Sequence, residues 1–347
     1  MSDIRIRTAG RAGRITLARP EALNALSPAM SIAIEEALDA WRDDPAVALV
    51  VIDAEGERAF CAGGDIADIY RNGIAGRHEA AQAFWRQEYR MNARLAQFPK
   101  PVVTLMQGFT MGGGVGVGCH AGHRIVGESV KLAMPECGIG LIPDVGGTWI
   151  LGHAPGHLGE YLGLTAARMG PADAIHAGFA DGHVPEADWP ALIAALEETG
   201  DVGLVAAAQR DPGVSPLAGA AGEIDRHFTQ PTLAAIVDSL AAADSAFAQT
   251  ALETMRRNSP LSMACALQLI RDAGGLDDIT QALAQEYRFT HRAQAQGDFL
   301  EGIRAQIIDK DRNPRWRHDG PATVSGDEVA AMLAPLGEDE LDLGGTT

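Results

Sequence analysis

Residues 101–118 read PVVTLMQGFTMGGGVGVG, and this stretch decides the class of fold. The apolar run at 102–106 has the length of a strand and does not alternate with polar residues, which is typical of a strand buried on both faces of a parallel sheet. The triplet Gly112–Gly114 then forms a turn that opens a predicted helix. Strands followed by helices in this way indicate an α/β protein.

The segments on either side continue the alternation. Residues 4–7 and 14–18 flank the sequence TAGRAG and predict a β-hairpin. Ser27 followed by Pro28 predicts the start of a helix, because serine caps helices and proline suits the first helical position. Apolar patterning predicts further strands at 46–54, 123–129 and 131–136, and a long helix at about 78–97.

The character of the chain changes near residue 200. Beyond about Val202 the apolar residues recur with helical spacing, and no strand pattern competes with them. We therefore predict an α/β core at residues 1–200. A helical C-terminal region with an acidic tail is expected at residues 201–347.

Composition restricts the class of protein. A chain of 347 residues that is 46% hydrophobic can bury a sizeable core. The net charge of -18 argues against sequence-independent binding to nucleic acid, which needs a basic face. Four cysteines without a C-x-x-C pair indicate reduced thiols, and we expect a cytoplasmic protein. We find no signal-peptide pattern and no apolar run long enough for a membrane helix, so no membrane partner is expected.

Two glycine turns are candidate anion sites. Gly113 lies where a strand passes into a helix, so its backbone N–H is available and points along the positive end of the helix dipole. Gly64 also follows a predicted strand, in FCAGGD at 60–65. Two N–H groups that converge on one oxygen would form an oxyanion hole. Glycines that allow tight helix–sheet packing, or a plain turn, are the alternatives. The spacing fits neither a dinucleotide fingerprint nor a phosphate-binding loop.

Two carboxylates occupy the otherwise apolar or glycine-rich segment MPECGIGLIPDVGGTW at 134–149. Apolar surroundings disfavour an ionised carboxylate unless it has a partner or a function. Asp144 could be explained as the cap of the helix that follows it. Glu136 has no cation near it in sequence. Spacing alone leaves a catalytic pair and a pair of structural carboxylates equally open.

Other reactive residues give weaker patterns. No G-x-S-x-G motif is present, so a serine hydrolase of that type is unsupported. Pro155 and Gly156 separate His153 from His157 and argue against a shared helix face, and we expect no metal site. Cys61 and Cys137 are interpreted as small buried fillers, because no basic partner is visible for either.

Several motifs in order resemble the crotonase (enoyl-CoA hydratase/isomerase) superfamily. The matching stretches are RPEALNALSPAM, AFCAGGDI, KPVVTLMQGFTMGGGVGVG and LAMPECGIGLIPDVGGTWIL. The resemblance implies a ββα superhelical core, an acyl-CoA thioester substrate and an oxyanion hole at Gly64 and Gly113. Hydratases of the family carry a glutamate where this sequence has Gly116. The second family glutamate corresponds to Glu136.

Within that superfamily the chain most resembles the 3-hydroxyisobutyryl-CoA hydrolase branch. QEYRMN, AMPECGIGLIPDVGG and the C-terminal DFLEGIRAQIIDKDRNPRW carry this resemblance. It implies thioester hydrolysis in valine catabolism, catalytic roles for Glu136 and Asp144, and substrate contacts from Glu88, Ala62 and Gly112. From the charged helix around it, Glu88 would otherwise be interpreted as a surface ion-pair residue.

Three functional hypotheses follow. The first is hydrolysis of a short 3-hydroxyacyl-CoA, with Glu136 acting either as nucleophile or as general base. The second is an enoyl-CoA isomerase or hydratase that uses Glu136 alone, and the third is a non-catalytic acyl-CoA-binding protein. Each has an acyl-CoA ligand. No separate cofactor is expected, because CoA is part of the substrate, and a homo-oligomer remains possible.

Overall fold

The computed structural model describes residues 3–343, and this part of the chain divides into two compact units. The first unit holds the residues up to Gly64 together with Gln87–Ala133 and Arg168–Pro216. The second holds Asp65–Arg86, Met134–Ala167 and the residues from Leu217 onward. Each unit is therefore assembled from segments that are far apart in sequence.

All described strands lie in the first unit and form two sheets. The strands are β1 Ile4–Ala9, β2 Ala12–Leu17, β3 Leu49–Ala54, β4 Ala59–Cys61, β5 Val102–Met106, β6 Phe109–Met111, β7 His123–Val126, β8 Lys131–Ala133 and β9 Gly182–His183. The larger sheet has the order β1-β2-β3-β5-β7-β9, and the smaller has the order β4-β6-β8. The hairpin β1–β2 is antiparallel, with Ile4 opposite Leu17, and the other pairings are parallel. The predicted hairpin is confirmed.

From β3 onward, successive strands alternate between the two sheets. The pairs β3–β4, β5–β6 and β7–β8 each contribute one strand to the larger sheet and the next strand to the smaller. The carboxyl ends of the parallel strands β4 and β6 therefore lie at the same edge of the small sheet. The short strand β6 is absent from the sequence-based expectation, because its three residues carry no pattern distinct from the turn around them.

One face of the large sheet packs against helices of the same unit. The residues in this core come from one face of β2, β3, β5 and β7, from Val184 and from the helical segment 189–205. Its members are Ala12, Leu49, Val51, Val103, Leu105, Ile125, Val184, Trp189, Leu192, Leu196 and Val205. The alternation within β3 and β5 shows that their two faces bury different sets of residues, as expected for central parallel strands.

Sixteen α-helices are present in the described part of the chain. They are α1 Pro28–Arg42, α2 Ala67–Ile74, α3 Glu79–Ala96, α4 Gly113–Gly118, α5 Gly147–Gly152, α6 Leu158–Thr165, α7 Pro171–His176, α8 Trp189–Thr199, α9 Gly203–Ala208, α10 Pro216–Phe228, α11 Leu233–Ala241, α12 Ala246–Met255, α13 Pro260–Ala273, α14 Ile279–Gln296, α15 Phe299–Ile303 and α16 Gly326–Leu333. A π-helical turn, Arg304–Ile308, extends α15. The Ser27 side chain caps α1 as predicted, by accepting from the N–H of Met30.

The second unit is built from helices. Its C-terminal part, from Leu217 onward, pairs in the same unit with the turns and helices of 134–167. The contacts of α13 with α5 and α6 are the main part of this packing. The predicted division near residue 200 stays a prediction. Among the described residues, no helix combines the length and the apolar character that crossing a bilayer requires.

The Lys100 side chain stabilises the segment at the C-terminal end of α1 in the first unit. Its ammonium group donates to the carbonyls of Trp41, Asp44 and Val47 at 2.5, 2.7 and 2.9 Å, and so closes the C-terminal end of α1. We expect Lys100→Met to lower the free energy of unfolding by about 2 kcal/mol, because these carbonyls lose a charged donor. Urea denaturation measures the change. The exposed Lys310→Met exchange is the control, and equal losses in both variants would contradict the assignment.

Candidate active site

The first half of the candidate site is the turn between β6 and α4. Gly112 caps α4 with φ 49° and ψ -119°, a conformation that side chains other than glycine rarely adopt. Its carbonyl accepts from the N–H groups of Val115 and Gly116 at 2.7 and 3.2 Å. Because the carbonyl and the N–H of a trans peptide point in opposite directions, the N–H of Gly113 points out of the helix. As the first helical residue, Gly113 also has no intrahelical acceptor for that N–H.

The second amide, that of Gly64, is oriented by the same rule. The preceding carbonyl, on Gly63, accepts from the N–H of Leu26 at 2.8 Å, so the N–H of Gly64 points away from Leu26. The nitrogen of Gly64 lies 3.3 Å from the position that a Cβ on Gly113 would occupy. Standard bond geometry then places the two amide nitrogens at most about 6 Å apart. One oxygen atom can accept from both at that separation.

Glu88 lies beside these two amides. Its Oε1 is 2.7 Å from the Cβ position on Gly113, so even an alanine there would collide with it. The side chain is 2% exposed. The alternative of a surface ion pair is therefore excluded, and the neighbouring Arg90 binds Glu35 instead, at 3.0 Å. The structure brings Glu88, Gly64 and Gly113 together, with Ala62 and Gly112 as their chain neighbours.

The cysteines near these turns are fillers, as predicted. All four are free and buried. Burial raises the pKa of the Cys61 thiol to about 12, and the charge of Glu88 adds to this effect. Burial also raises the pKa of Cys137, with a further contribution from the charge of Glu136. Neither thiol is available as a thiolate nucleophile near neutral pH.

Glu136 lies in the second unit and opens the 3-10 turn Glu136–Ile139. Its side chain is 4% exposed. C-terminal residues of the same unit support the turn: the N–H of Ser259 donates to the carbonyl of Cys137 at 3.0 Å, and the hydroxyl of Ser259 donates to Asp298 at 2.6 Å. Gly302 packs so closely on the carbonyl of Ile139 that a Cβ would lie 2.0 Å from it. The backbone that carries Glu136 is thus held from several sides.

Asp144 lies in the next turn, before α5, and is also 4% exposed. The structural alternative for Asp144 was an N-cap of α5, but Asp144 does not occupy that position. The N-cap position is Gly146, and no side-chain cap bond forms there. Asp144 instead contributes its backbone carbonyl, which accepts from the N–H of Gly147 at 2.7 Å.

The missing acceptor is Glu286, on α14. Its carboxyl group accepts from the N–H of Gly146 at 2.8 Å and from the N–H of Thr148 at 3.0 Å, and also from the Thr148 hydroxyl. Burial raises the pKa of Glu286 to about 8, and the charge of Asp144 adds to the increase. Sequence reasoning missed this residue. In the sequence it is the single glutamate of a helix that is rich in glutamine and arginine, and its partners are 138 and 140 positions away.

No metal centre is evident in the described residues, where no group of three or more His, Cys, Asp or Glu side chains could hold an ion. The ring Nδ1 of His153 donates to the carbonyl of Trp149, whereas His157 pairs with Glu160. The two histidines therefore serve different local contacts. The directed amides of the first unit and the buried carboxylates of the second unit are each groups that suit chemistry at a carbonyl.

The first unit is an α/β structure with two mainly parallel sheets, and its glycine turns direct two amides that suit the oxygen of an acyl group. The sequence profile of the family described as enoyl-CoA hydratase/isomerase matches residues 12–333. This protein belongs to that family. The predicted fold class and family are both confirmed.

Relatives cover nearly the whole chain. The mitochondrial 3-hydroxyisobutyryl-CoA hydrolase of Xenopus tropicalis is 38% identical over 96% of this chain and 89% of its own. A solved enoyl-CoA hydratase of Rhodobacter sphaeroides 2.4.1 is 60% identical, with a TM-score of 0.95 over 98% of this chain and 100% of its own. A carnitinyl-CoA dehydratase of Mycobacterium thermoresistibile is 40% identical, with a TM-score of 0.95 over 99% and 100%.

The buried Glu286 predicts a specific dependence of stability on pH. Its folded pKa is raised from 4.5 to about 8, so its contribution to stability is complete below pH 4.5 and is lost as the pH rises through about 8. We expect the wild-type free energy of unfolding to fall by a few kcal/mol over this range, and Glu286→Gln to flatten the curve.

Urea denaturation at a series of pH values measures this dependence. The glutamine variant lacks one acceptor, so it should be less stable than the wild type at about pH 5, and the difference should shrink towards about pH 9. Glu253→Gln is the control, since it removes an exposed carboxylate from the same unit. Parallel curves for wild type and Glu286→Gln would refute the prediction.

Proposed function

We propose that this protein hydrolyses the thioester of a short 3-hydroxyacyl-CoA, with 3-hydroxyisobutyryl-CoA as its main substrate. The products are 3-hydroxyisobutyrate and CoA. The observation that carries the proposal is the similarity over nearly the whole chain to the Xenopus tropicalis hydrolase of that substrate. Two buried acids, Glu136 and Asp144, and the paired amides of Gly64 and Gly113 supply groups suited to this chemistry.

In the proposed reaction, the thioester oxygen accepts from the N–H groups of Gly64 and Gly113. Negative charge develops on this oxygen as the carbonyl carbon becomes tetrahedral, so fixed donors stabilise the transition state more than the ground state. Each donor is worth roughly 3–4 kcal/mol in such a site. Both amides are oriented by the hydrogen bonds of the preceding carbonyls, and this orientation is present before substrate binds.

Glu136 completes the reaction in one of two ways. Either its carboxylate attacks the carbonyl carbon and forms a mixed anhydride that water then opens, or it removes a proton from the water that attacks. On both routes the C–S bond breaks, and CoA leaves as a thiolate that takes up a proton. Asp144 is proposed to position the water or the substrate hydroxyl, or to deliver that proton. Glu88, Ala62 and Gly112 are proposed substrate contacts.

A second candidate is an enoyl-CoA isomerase or hydratase that uses Glu136 alone. Two similar solved structures, an enoyl-CoA hydratase and a carnitinyl-CoA dehydratase, favour it. Against it stands Gly116, a buried residue of α4 at the position where hydratases of the family carry their first glutamate. Without a side chain there, one of the two acids for adding water to a double bond is missing. Asp144 would also have no role in that reaction.

The cellular setting is proposed from weaker observations. The Xenopus tropicalis relative is named as mitochondrial, whereas we propose a cytoplasmic location for this chain, in keeping with its four free cysteines. An acyl-CoA is the proposed ligand, with no separate cofactor and no nucleic acid partner. A homo-oligomer is retained as a prediction.

Removal of either acid should abolish most of the activity. We expect Glu136→Gln and Asp144→Asn to lower kcat for 3-hydroxyisobutyryl-CoA by roughly 10²–10⁴-fold, because each amide lacks the basicity of the carboxylate. Release of free CoA thiol measures the rate, and Glu338→Gln, at an exposed position, is the control. Wild-type rates in Glu136→Gln would eliminate its proposed role. Movement or hydration of a double bond without thiol release would favour the second candidate.

The oxyanion hole is tested separately by Gly113→Ala. The added Cβ would lie 2.7 Å from Glu88 Oε1 and 3.3 Å from the nitrogen of Gly64, so it displaces groups around the proposed oxygen site. We expect kcat/KM to fall roughly 10²–10³-fold. Gly122→Ala is the matched control, because nothing lies within 4 Å of its added Cβ. Comparable thiol release by both variants would argue against the hole.

A further inference from the structure

Glu286 is a fully buried carboxyl group that binds a turn far from it in sequence. Its Oε2 accepts from the N–H of Gly146, and its Oε1 accepts from both the N–H and the hydroxyl of Thr148. Thr148 is 1% exposed. Water therefore cannot replace these bonds without a change of structure, and each buried donor would be costly to leave unpaired.

The turn that receives these bonds has a strained backbone. Val145 has φ 55°, a left-handed conformation that is unfavourable for a β-branched residue, and Gly146 follows with φ 79°. Such conformations persist only where the surrounding structure holds them. The helix that begins here, α5, has no side-chain cap of its own. Glu286 supplies the acceptors that a local cap would otherwise provide.

Asp144 immediately precedes this strained pair. Its carbonyl accepts from the N–H of Gly147, so the backbone of Asp144 is bonded into the same turn that Glu286 holds from α14. The direction of a side chain follows the backbone of its own residue. A change in the bonds at Gly146 and Thr148 would therefore turn the carboxylate of Asp144.

We propose that Glu286, through Thr148 and the amide of Gly146, is a positioning residue that holds Asp144 in its catalytic orientation. This role rests on the proposed function, which gives Asp144 its part in thioester hydrolysis. It extends that function to a residue on a C-terminal helix that has no chemical step of its own. In this proposal Glu286 binds the turn at Gly146 and Thr148 and does not contact the substrate.

The charge state of Glu286 suits this role. A second negative charge beside Asp144 would repel it. Burial raises the pKa of Glu286 to about 8, so near neutral pH the group keeps its proton and supports the turn without adding charge. Asp144 is the charged group that acts on it from the turn, and Thr148 and the amides of the turn face it as donors.

Thr148→Val is the first test, because it removes the hydroxyl donor with little change of shape. We expect kcat for thiol release to fall roughly tenfold, with KM changed less than about twofold, since a small displacement of a catalytic group lowers the rate strongly. Thr148→Ser keeps the hydroxyl and should retain the wild-type kcat within about twofold. Glu160→Gln, which removes a buried carboxylate on α6, is the control.

The decisive comparison is made in an Asp144→Asn background. If Thr148 acts through Asp144, the added Thr148→Val exchange should change kcat less than about twofold there, although it still lowers the thermal stability. The same fold loss in both backgrounds, or a wild-type kcat in Thr148→Val, would overturn the proposal. A purely structural role of Thr148 predicts the same fold loss of kcat in both backgrounds.

Amide hydrogen exchange keeps the test independent of the assay. The N–H groups of Gly146 and Thr148 should exchange at least about tenfold faster in Glu286→Gln than in the wild type, and at the wild-type rate in Glu160→Gln. Unchanged exchange in Glu286→Gln would overturn the positioning role. Absence of thiol release by the wild-type protein would instead overturn the proposed function, and the exchange result would still decide whether Glu286 holds the turn.

Discussion

The direction of two peptide groups is the constraint on which the site of the first unit depends. The carbonyls of Gly63 and Gly112 are each engaged by hydrogen bonds, one to Leu26 and the other within α4. The N–H groups on the far side of these peptides are therefore aimed before any ligand arrives. Preorganised donors need no rearrangement when charge develops on a substrate oxygen, and this is the main advantage of a protein site over water.

In the second unit, hydrogen bonds from distant residues stabilise the buried turns that carry carboxylates. The turn of Glu136 is bonded to Ser259, which is in turn bonded to Asp298, and the turn of Asp144 is bonded to Glu286. All three supporting residues come from the C-terminal part of the chain. The C-terminal helices thus support the acidic turns by hydrogen bonds, in addition to burying apolar surface. Their packing places acceptors and donors where the acidic turns lack local ones.

Sequence reasoning proposed the candidate groups but not the residues that support them. The glycine turns at Gly64 and Gly113 could be recognised from the sequence, because a strand end followed by glycines is a local pattern that predicts a turn. For Asp144 the sequence left a helix cap open as the alternative, and the structure places Gly146 at that position. For Glu88 the alternative was a surface ion pair, whereas the residue is buried beside Gly113. In both cases the deciding contact joins residues that no local pattern connects.

The sequence by itself determined the longer strands, the longer helices and the turns where glycine is needed, since these depend on side-chain periodicity and backbone sterics within a few residues. It also determined which acids lie in an apolar segment. Only the tertiary structure decided that Glu286 caps α5 and that Asp298 and Ser259 support the turn of Glu136. A buried donor forms its hydrogen bond with whichever acceptor the fold places beside it. The distance between the two along the chain is therefore not encoded in either residue's neighbours.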